Sequence, residues 1–352
     1  MRPVLITGGA GFIGTNLASR LLSARHPVLI LDSLARPGVE RNLRWLRDTY
    51  ADGLRIEVAD VRDAAVVSRA VAEASQVFHF AAQVAVTTSL TDPVDDFDVN
   101  ARGTLTLLEA IRAQAAPPPL VFTSTNKVYG ALDDVALRRR NRRYEPIDPA
   151  LASRGVGESR RLDFHSPYGC SKGCADQYVL DYARSFGLPT IVFRMSCIYG
   201  PHQHGTEDQG WVAHFLIRAL EDREITIYGD GRQVRDLLFV EDLVDALLLA
   251  QTHMPTEAGQ AFNIGGGPGN AVSLLEVLEQ VGGILDRPPR AQFDDWRLGD
   301  QRYYVSDTTK FARATGWRPT TTVRDGIRRL VGWLQKSGRP TALAGGAISV
   351  RR

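Results

Sequence analysis

The stretch "VLITGGAGFIGTNLASRLL" constrains the fold more than any other. A short apolar run ends at Thr7, three glycines (Gly8, Gly11 and Gly14) follow at intervals of three, and a helical pattern begins at once. Glycine at these points permits a tight turn, lets backbone approach a pyrophosphate, and lets the helix pack closely on the strand; the unpaired amides of the first helical turn face the anion. A glycine trio alone is a weak signal, and a bare strand-to-helix turn has the same look.

The context settles the matter. "PVLIT", "PVLILD", "LRIEVAD", "QVFHFAA" and "PLVFTST" read as buried strands because β-branched and aromatic residues follow one another without polar alternation. Helical patterns lie between them near 12 to 24, 41 to 50, 63 to 74 and 94 to 115. This alternation predicts an α/β chain with a doubly wound parallel sheet. Asp32 ends the second strand, where a carboxylate accepts hydrogen bonds from the adenosine ribose hydroxyls and repels a 2′-phosphate; the other reading of it is a cap or turn aspartate. Asp60 and Val61 close the third strand in a position suited to the adenine. NAD is therefore expected over NADP, with Arg36 the one residue nearby that argues the other way.

After residue 130 the order breaks. Residues 131 to 165 are rich in Arg, Asp, Pro and Gly and read as an excursion above the sheet, and "LRRRNRR" (137 to 143) within them reads as a solvated loop. A long helix near 167 to 186 and a buried strand "PTIVFRMS" follow. Beyond Gly200 the elements are shorter, with strands at "EITIYG" and "AFNIGG" and helices at 211 to 221, 241 to 251, 273 to 283 and 322 to 335. We expect residues 1 to 200 to form the dinucleotide domain, 201 to 335 a smaller α/β substrate domain that partly re-enters the first, and 336 to 352 a loose tail. The 42 basic and 40 acidic residues give no reason to expect nucleic acid or membrane as a partner. Cys170, Cys174 and Cys197 are too few for a disulfide framework or a zinc site and read as ordinary buried thiols, so no metal is expected. No apolar run approaches the roughly 20 residues that span a bilayer, and no leader pattern opens the chain, so the cytoplasm is the expected location.

"SPYGCSK" puts Tyr168 and Lys172 four apart at the start of a helix, so both point to one face. An ammonium there, with the positive nicotinamide, favours the phenolate of a tyrosine otherwise near pKa 10. Alone, such a pair is more often an exposed helix pair. Thr125, ending the fifth strand, changes the balance: its hydroxyl can share the proton being moved and orient the substrate oxygen.

With these residues in view, the chain resembles the extended short-chain dehydrogenases/reductases of the nucleotide-sugar epimerase and dehydratase group. "TGGAGFIG", Asp32, "FHFAAQ", Asn100, Thr125, "YGCSK", "GRQVRDLLFVEDLVDA" and "FNIGG" carry the likeness over roughly residues 1 to 335. It implies a Rossmann-type domain with a smaller C-terminal substrate domain. NAD would be held by Gly8, Gly11, Phe12, Ile13, Gly14, Asp32, Ser33, Asp60, Val61, Phe80, Ala81, Ala82, Gln83, Asn100, Thr123, Tyr168, Lys172 and Met195. It also implies a homodimer through the helices near 94 to 115 and 167 to 186.

Within the group the chain is most similar to the CDP-paratose 2-epimerases, also called CDP-tyvelose epimerases, through "QVAVTTS", "STNKVYG", "DFHSPYGCSKGCADQYVLDYARSFGLPT", "EDQGWVAHF" and "GDQRYYVSD". Similar 4,6-dehydratases carry Asp-Glu where Asn126 and Lys127 stand here, so elimination of water is not expected. What remains is NAD-dependent oxidation and re-reduction at one carbon of a nucleotide-linked hexose, at carbon 2 by the likeness. The alternatives are a 4-epimerase, a decarboxylase, or a dinucleotide-sensing protein without catalysis. The likeness places Gln83, Thr87, Ser124, Thr125, Asn126, Cys197, Gln203, Gln209, Gly210 and Trp211 around the sugar nucleotide, and Arg235 and Arg302 on its diphosphate. Taken singly, Gln83 reads equally as a strand-end cap, Trp211 as core, and the arginines as surface ion pairs. His202 and His204 depart from that family, which has Arg and an aromatic or apolar residue at these places.

Overall fold

The computed structural model describes residues 1–297 and 299–337; the expected loose tail lies almost wholly outside the described residues. The first strands and helices alternate: β1 (Val4–Thr7), α1 (Phe12–Ser23), β2 (Val28–Asp32), α2 (Val39–Thr49), β3 (Leu54–Val58), α3 (Ala64–Glu73), β4 (Gln76–His79), the short α4 (Val86–Thr91) and α5 (Pro93–Phe97), α6 (Gly103–Arg112) and β5 (Leu120–Thr125). An arginine-rich hairpin of β6 (Leu137–Arg140) and β7 (Arg143–Pro146) follows, then α7 (Pro149–Arg154), the long α8 (Ser166–Phe186), β8 (Thr190–Met195) and β9 (Cys197–Tyr199).

The C-terminal part adds α9 (Trp211–Leu220), β10 (Ile225–Tyr228), β11 (Val234–Phe239), α10 (Val240–Thr252), α11 (Met254–Glu257), β12 (Gln260–Ile264), β13 (Ala271–Ser273), α12 (Leu274–Leu285), β14 (Ala291–Asp294), β15 (Tyr303–Tyr304), α13 (Thr309–Thr315) and α14 (Val323–Lys336). Seven parallel strands form the main sheet in the order β12-β8-β5-β4-β1-β2-β3. The order reverses between β1 and β4, and a crevice at such a switch point takes the ligand in sheets of this kind. Because every central strand is buried on both faces, the apolar runs continue without alternation: Leu5, Leu29, Phe122 and Val192 pack on one side, and Ile6, Ile30, Val121 and Phe193 on the other. A second sheet, β13-β11-β15 with β9 also on β11, lies against α9, α12 and α14 over a core that includes Phe215, Leu237 and Leu330.

Four expectations need correcting. β3 is the edge strand, so Arg55, Glu57 and Val58 are exposed and only Leu54 and Ile56 of "LRIEV" are partly covered. The helix expected over 94 to 115 is interrupted by a π-turn at Asp98–Arg102. "LRRRNRR" is solvated as expected, with Arg138 to Arg142 exposed, but it forms an antiparallel hairpin rather than a loop. Its guanidiniums are paired: Arg138 and Arg140 with Glu145, Arg139 with Asp230, Arg142 with Glu279 and Arg143 with Glu276. Finally, Cys170 is exposed and Cys174 only partly covered, because both lie on the outer side of α8.

Candidate active site

The glycine turn after β1 leaves no room for side chains. Gly8 has φ +69°, and a Cβ on it would stand 2.6 Å from the Ala81 amide nitrogen at the end of β4. A Cβ on Gly14 would stand 2.5 Å from the Gly8 carbonyl oxygen. α1 begins after Gly11 with no side-chain cap, so the amides of Phe12, Ile13 and Gly14 lack an intrahelical partner and face the turn. Beside them the Asp32 carboxylate accepts hydrogen bonds from Ala10 N (3.0 Å) and Leu34 N (2.9 Å), while burial pushes its carboxyl up. Amides for a pyrophosphate and a carboxylate for a ribose fit a dinucleotide. Arg36, the residue that argued for a 2′-phosphate, is engaged by the Gln209 side-chain carbonyl. Asp60 accepts from Arg62 at 2.9 and 2.7 Å, so its carboxylate is already committed; Val61 is buried against Gly103.

The catalytic candidates meet where β5 ends and α8 begins. Tyr168 is buried, and loss of solvent pushes its phenol up to about 12, with the neighbouring Thr125 hydroxyl working the other way; that hydroxyl donates to Asn126 Oδ1 at 3.4 Å and accepts from the Lys127 amide at 3.2 Å. Lys172, also buried, donates from Nζ to the Thr123 carbonyl at 2.8 Å and lies 4.2 Å from the centre of the Phe122 ring. Desolvation pushes its ammonium down to about 7, with the carboxylates of Asp176 and Asp96 working the other way. A dry pocket disfavours both charges, and an arriving cation or anion shifts the balance between them. α8 is tied to β8 by a buried ion pair in which Arg194 Nε and Nη2 each lie 2.9 Å from the Asp176 carboxylate. Arg194 also donates to Tyr129 OH, which donates to Asn263.

On the substrate side, Asn126 donates to Gln301 Oε1 at 3.1 Å. Lys127 donates to the Gly299 carbonyl at 3.2 Å, and its ammonium is pushed down to about 8 by burial. A cavity of about 820 Å³ opens beside Ser166 at the start of α8, between Leu90, Leu132, Trp296, Asp300 and Arg302. Arg302 stands over the Trp296 ring at 5.4 Å. Arg235, expected on a diphosphate, donates instead to the Asp300 carboxylate at 2.7 Å, so an anion would have to compete for it. Gln83, expected beside the sugar, turns its amide back to Ala85 and Asp96. Trp211 packs on Phe215 in the second core, and burial pushes the Cys197 thiol up. Gly210, with φ +77°, makes the turn into α9 against Gln203. His202 and His204 gather beside Trp45 and Trp333, and Asn42 binds both the Ala10 and the His202 carbonyls at 3.1 Å. That loop therefore rests on the glycine turn rather than on the cavity.

Four of the residues named from sequence hold buried polar atoms without a partner: Thr87 Oγ1, Asn100 Oδ1, Ser124 Oγ and Gln203 Oε1. Two buried residues escaped the sequence reading. His79 sits between Thr7 (2.6 Å) and Thr104 (3.0 Å) and is held neutral, pushed down to about 3 by burial. Asp96 accepts from Ser171, Gln83 and Asn100. Both lie in runs that read as ordinary strand and helix, so no local signal marks them.

Residues 4–265 match the NAD dependent epimerase/dehydratase family. The chain is 42% identical to the CDP-paratose 2-epimerase of Salmonella typhi, over 94% of this chain and 98% of that one. Among solved structures, a UDP-glucose 4-epimerase of Thermotoga maritima, determined with UDP-glucose, superposes with a TM-score of 0.81 at 29% identity, covering 95% of this chain and 99% of that one. A dTDP-glucose 4,6-dehydratase of Streptomyces venezuelae, determined with NAD and TYD bound, gives 0.81 at 29% identity, over 95% and 97%. A glycine turn that only a bare backbone can line, a sheet in dinucleotide-binding order and this breadth of likeness agree: the chain belongs to the NAD dependent epimerase/dehydratase family.

Proposed function

We propose that this enzyme inverts carbon 2 of a nucleotide-linked hexose of the CDP-paratose type. The observation that carries the reading is the meeting of Tyr168, Thr125 and Lys172 at the sheet's C-terminal edge, with Asn126 and Lys127 in place of an acid pair. NAD, when bound, supplies the acceptor for the sugar's hydride and gives it back. Tyr168 takes the proton from the sugar hydroxyl, the hydroxyl of Thr125 orients that oxygen, and Lys172 offsets the phenolate's charge. The oxidised carbon is planar, and a turn of the sugar beside Tyr168 presents its other face. Tyr168 then returns the proton to the oxygen.

The Asn126 amide is not an acid near neutral pH, and Lys127 is drawn toward Gly299 and Asp300; this supports redox inversion over loss of water. The fit of Gly8 to Gly14 and of Asp32 supports the cofactor roles assigned to them, and the partnerless Thr87, Ser124 and Gln203 support the substrate roles. The same reading gives residues 1 to 200 the cofactor and 201 to 335 most of the substrate contacts. It makes the protein a cytoplasmic homodimer, which is supported by three free thiols and by exposed apolar residues on two helices that pack together, Val94 and Phe97 on α5 and Tyr178 and Phe186 on α8.

The test is incubation with CDP-hexoses epimeric at carbon 2, followed by NMR. Inversion is expected, and Tyr168→Phe should lower turnover by about 10²–10⁴-fold while bound NAD is retained. Inversion at carbon 4 instead, or activity indifferent to Tyr168→Phe, overturns the assignment.

A further inference from the structure

The segment between β9 and α9, residues 200–210, carries Gln203, Gln209 and Gly210, and it also holds the two histidines that the reaction leaves without a part. Three side chains of the dinucleotide fold tie it down. Asn16 on α1 donates from Nδ2 to the Pro201 carbonyl at 2.9 Å, Arg36 after β2 donates to the Gln209 side-chain carbonyl, and Asn42 on α2 reaches the His202 carbonyl.

Asn42 is buried, and both hydrogens of its Nδ2 are spent on carbonyls, Ala10 O of the glycine turn and His202 O of the segment, each at 3.1 Å. Its Oδ1 meets His204 Nε2 at 3.2 Å, so that ring nitrogen carries the hydrogen. Turned over, the amide would set its oxygen against two carbonyls, and its orientation is therefore fixed by what surrounds it. Ala10 is held from the other side as well, since its amide donates to Asp32 at 3.0 Å. A continuous path runs from the carboxylate suited to a ribose, through the turn suited to a pyrophosphate, across one side chain and into the segment.

His202 gives this path a consequence. It is buried with φ +66°, a left-handed conformation that a histidine keeps only where its surroundings over-determine it. Those surroundings are the Asn42 amide on its carbonyl, the Trp45 ring with centroids 4.2 Å apart, and the Trp333 ring at 5.2 Å. The neighbouring His204 ring lies against Gly38, where a Cβ would stand 3.3 Å from it. Without the amide, the backbone at His202 is free to relax.

We propose that Asn42 is a positioning residue that couples the cofactor turn to the substrate-side segment: a dinucleotide on the turn fixes the Ala10 carbonyl, Asn42 passes that order to His202 and His204, and the segment with Gln203, Gln209 and Gly210 settles into one form. Asn42 acts through the residues on either side of it. The proposal rests on the reading of the glycine turn as the NAD site and extends it to the segment beyond.

Hydrogen exchange read by mass spectrometry, on the full chain with bound NAD and after its removal, tests this with no sugar present. In the wild type, NAD should slow exchange of the peptide spanning 200–210 by about tenfold or more. In Asn42→Leu, which keeps the bulk and lacks the amide, the same loading should still protect the turn at 8–14 and change 200–210 by less than about twofold. A purely structural role raises exchange of the segment in both states alike; the proposal requires that the difference between them be lost. Should Asn42→Leu not fold, Asn42→Ser is the second variant. A segment indifferent to NAD in the wild type, or a difference as large in the Asn42 variant, overturns the proposal. Nucleotide released by acid from each sample reports uptake, so a wild type that takes up no NAD refutes the cofactor reading and this proposal with it, while the CDP-hexose assay exposes a wrong substrate separately.

Discussion

Replacing Lys172 by Met asks what the fold gives up to keep an amine in a dry pocket. The ammonium has one backbone hydrogen bond, to Thr123, and one aromatic face, that of Phe122. Burial brings it from 10.5 down to about 7, and at about 1.4 kcal/mol per pH unit the gap between those values amounts to about 5 kcal/mol. The unfolded chain keeps this proton up to about pH 10.5, whereas the folded one releases it near 7. Between these limits the unfolded state binds more protons, so wild-type stability gains from rising pH; the full cost applies below 7 and is gone above 10.5.

Methionine has no proton to lose. After about 1–2 kcal/mol is subtracted for the lost hydrogen bond and ring contact, Lys172→Met should be the more stable protein at pH 7 by about 3 kcal/mol. That advantage should shrink by up to about 1.4 kcal/mol per unit toward pH 10. Urea unfolding of both proteins, followed by circular dichroism at half-unit steps from pH 7 to 9.5, reads the difference directly. The other displaced lysine, Lys127, is common to both proteins and cancels. A difference that stays flat across this range refutes the reasoning, because only a depressed Lys172 gives it a slope. The variant should also be inactive, the usual trade between a strained site and a stable one.

Two further outcomes follow from the geometry. Gly14→Ala puts a methyl 2.5 Å from the Gly8 carbonyl, so the purified variant should carry at least about tenfold less dinucleotide, measured in the acid-released nucleotide. Phe97→Glu combined with Phe186→Glu places charge on α5 and α8, where both rings are about half exposed, and under the proposed dimer light scattering should show the mass of the particle fall from two chains to one.

The candidate site was legible in the sequence where its signals are local. Gly8 to Gly14, Asp32 at a strand end, and Tyr168 with Lys172 on one helical turn all lie within a few residues of the element that positions them. The basic run 137 to 143 misled because the partners that flatten it into a hairpin against the second sheet, Asp230, Glu276 and Glu279, lie far along the chain. The half-exposed face of β3 was hidden for a related reason: an edge strand and a central one have the same apolar spelling until the strand order is known. Arg235 was expected on a diphosphate by likeness alone, but its pairing with Asp300 depends on how a loop 65 residues later folds back.

What the chain determined by itself is the succession of strands and helices and the backbone freedom at the glycine turn, since both depend on residue type and on neighbours a few positions away. The tertiary structure alone decided which charges face one another: Asp176 with Arg194, and Asp300 with Arg235. Electrostatic energy in a dry interior depends on distance and desolvation, and neither is set until segments far apart in sequence have packed.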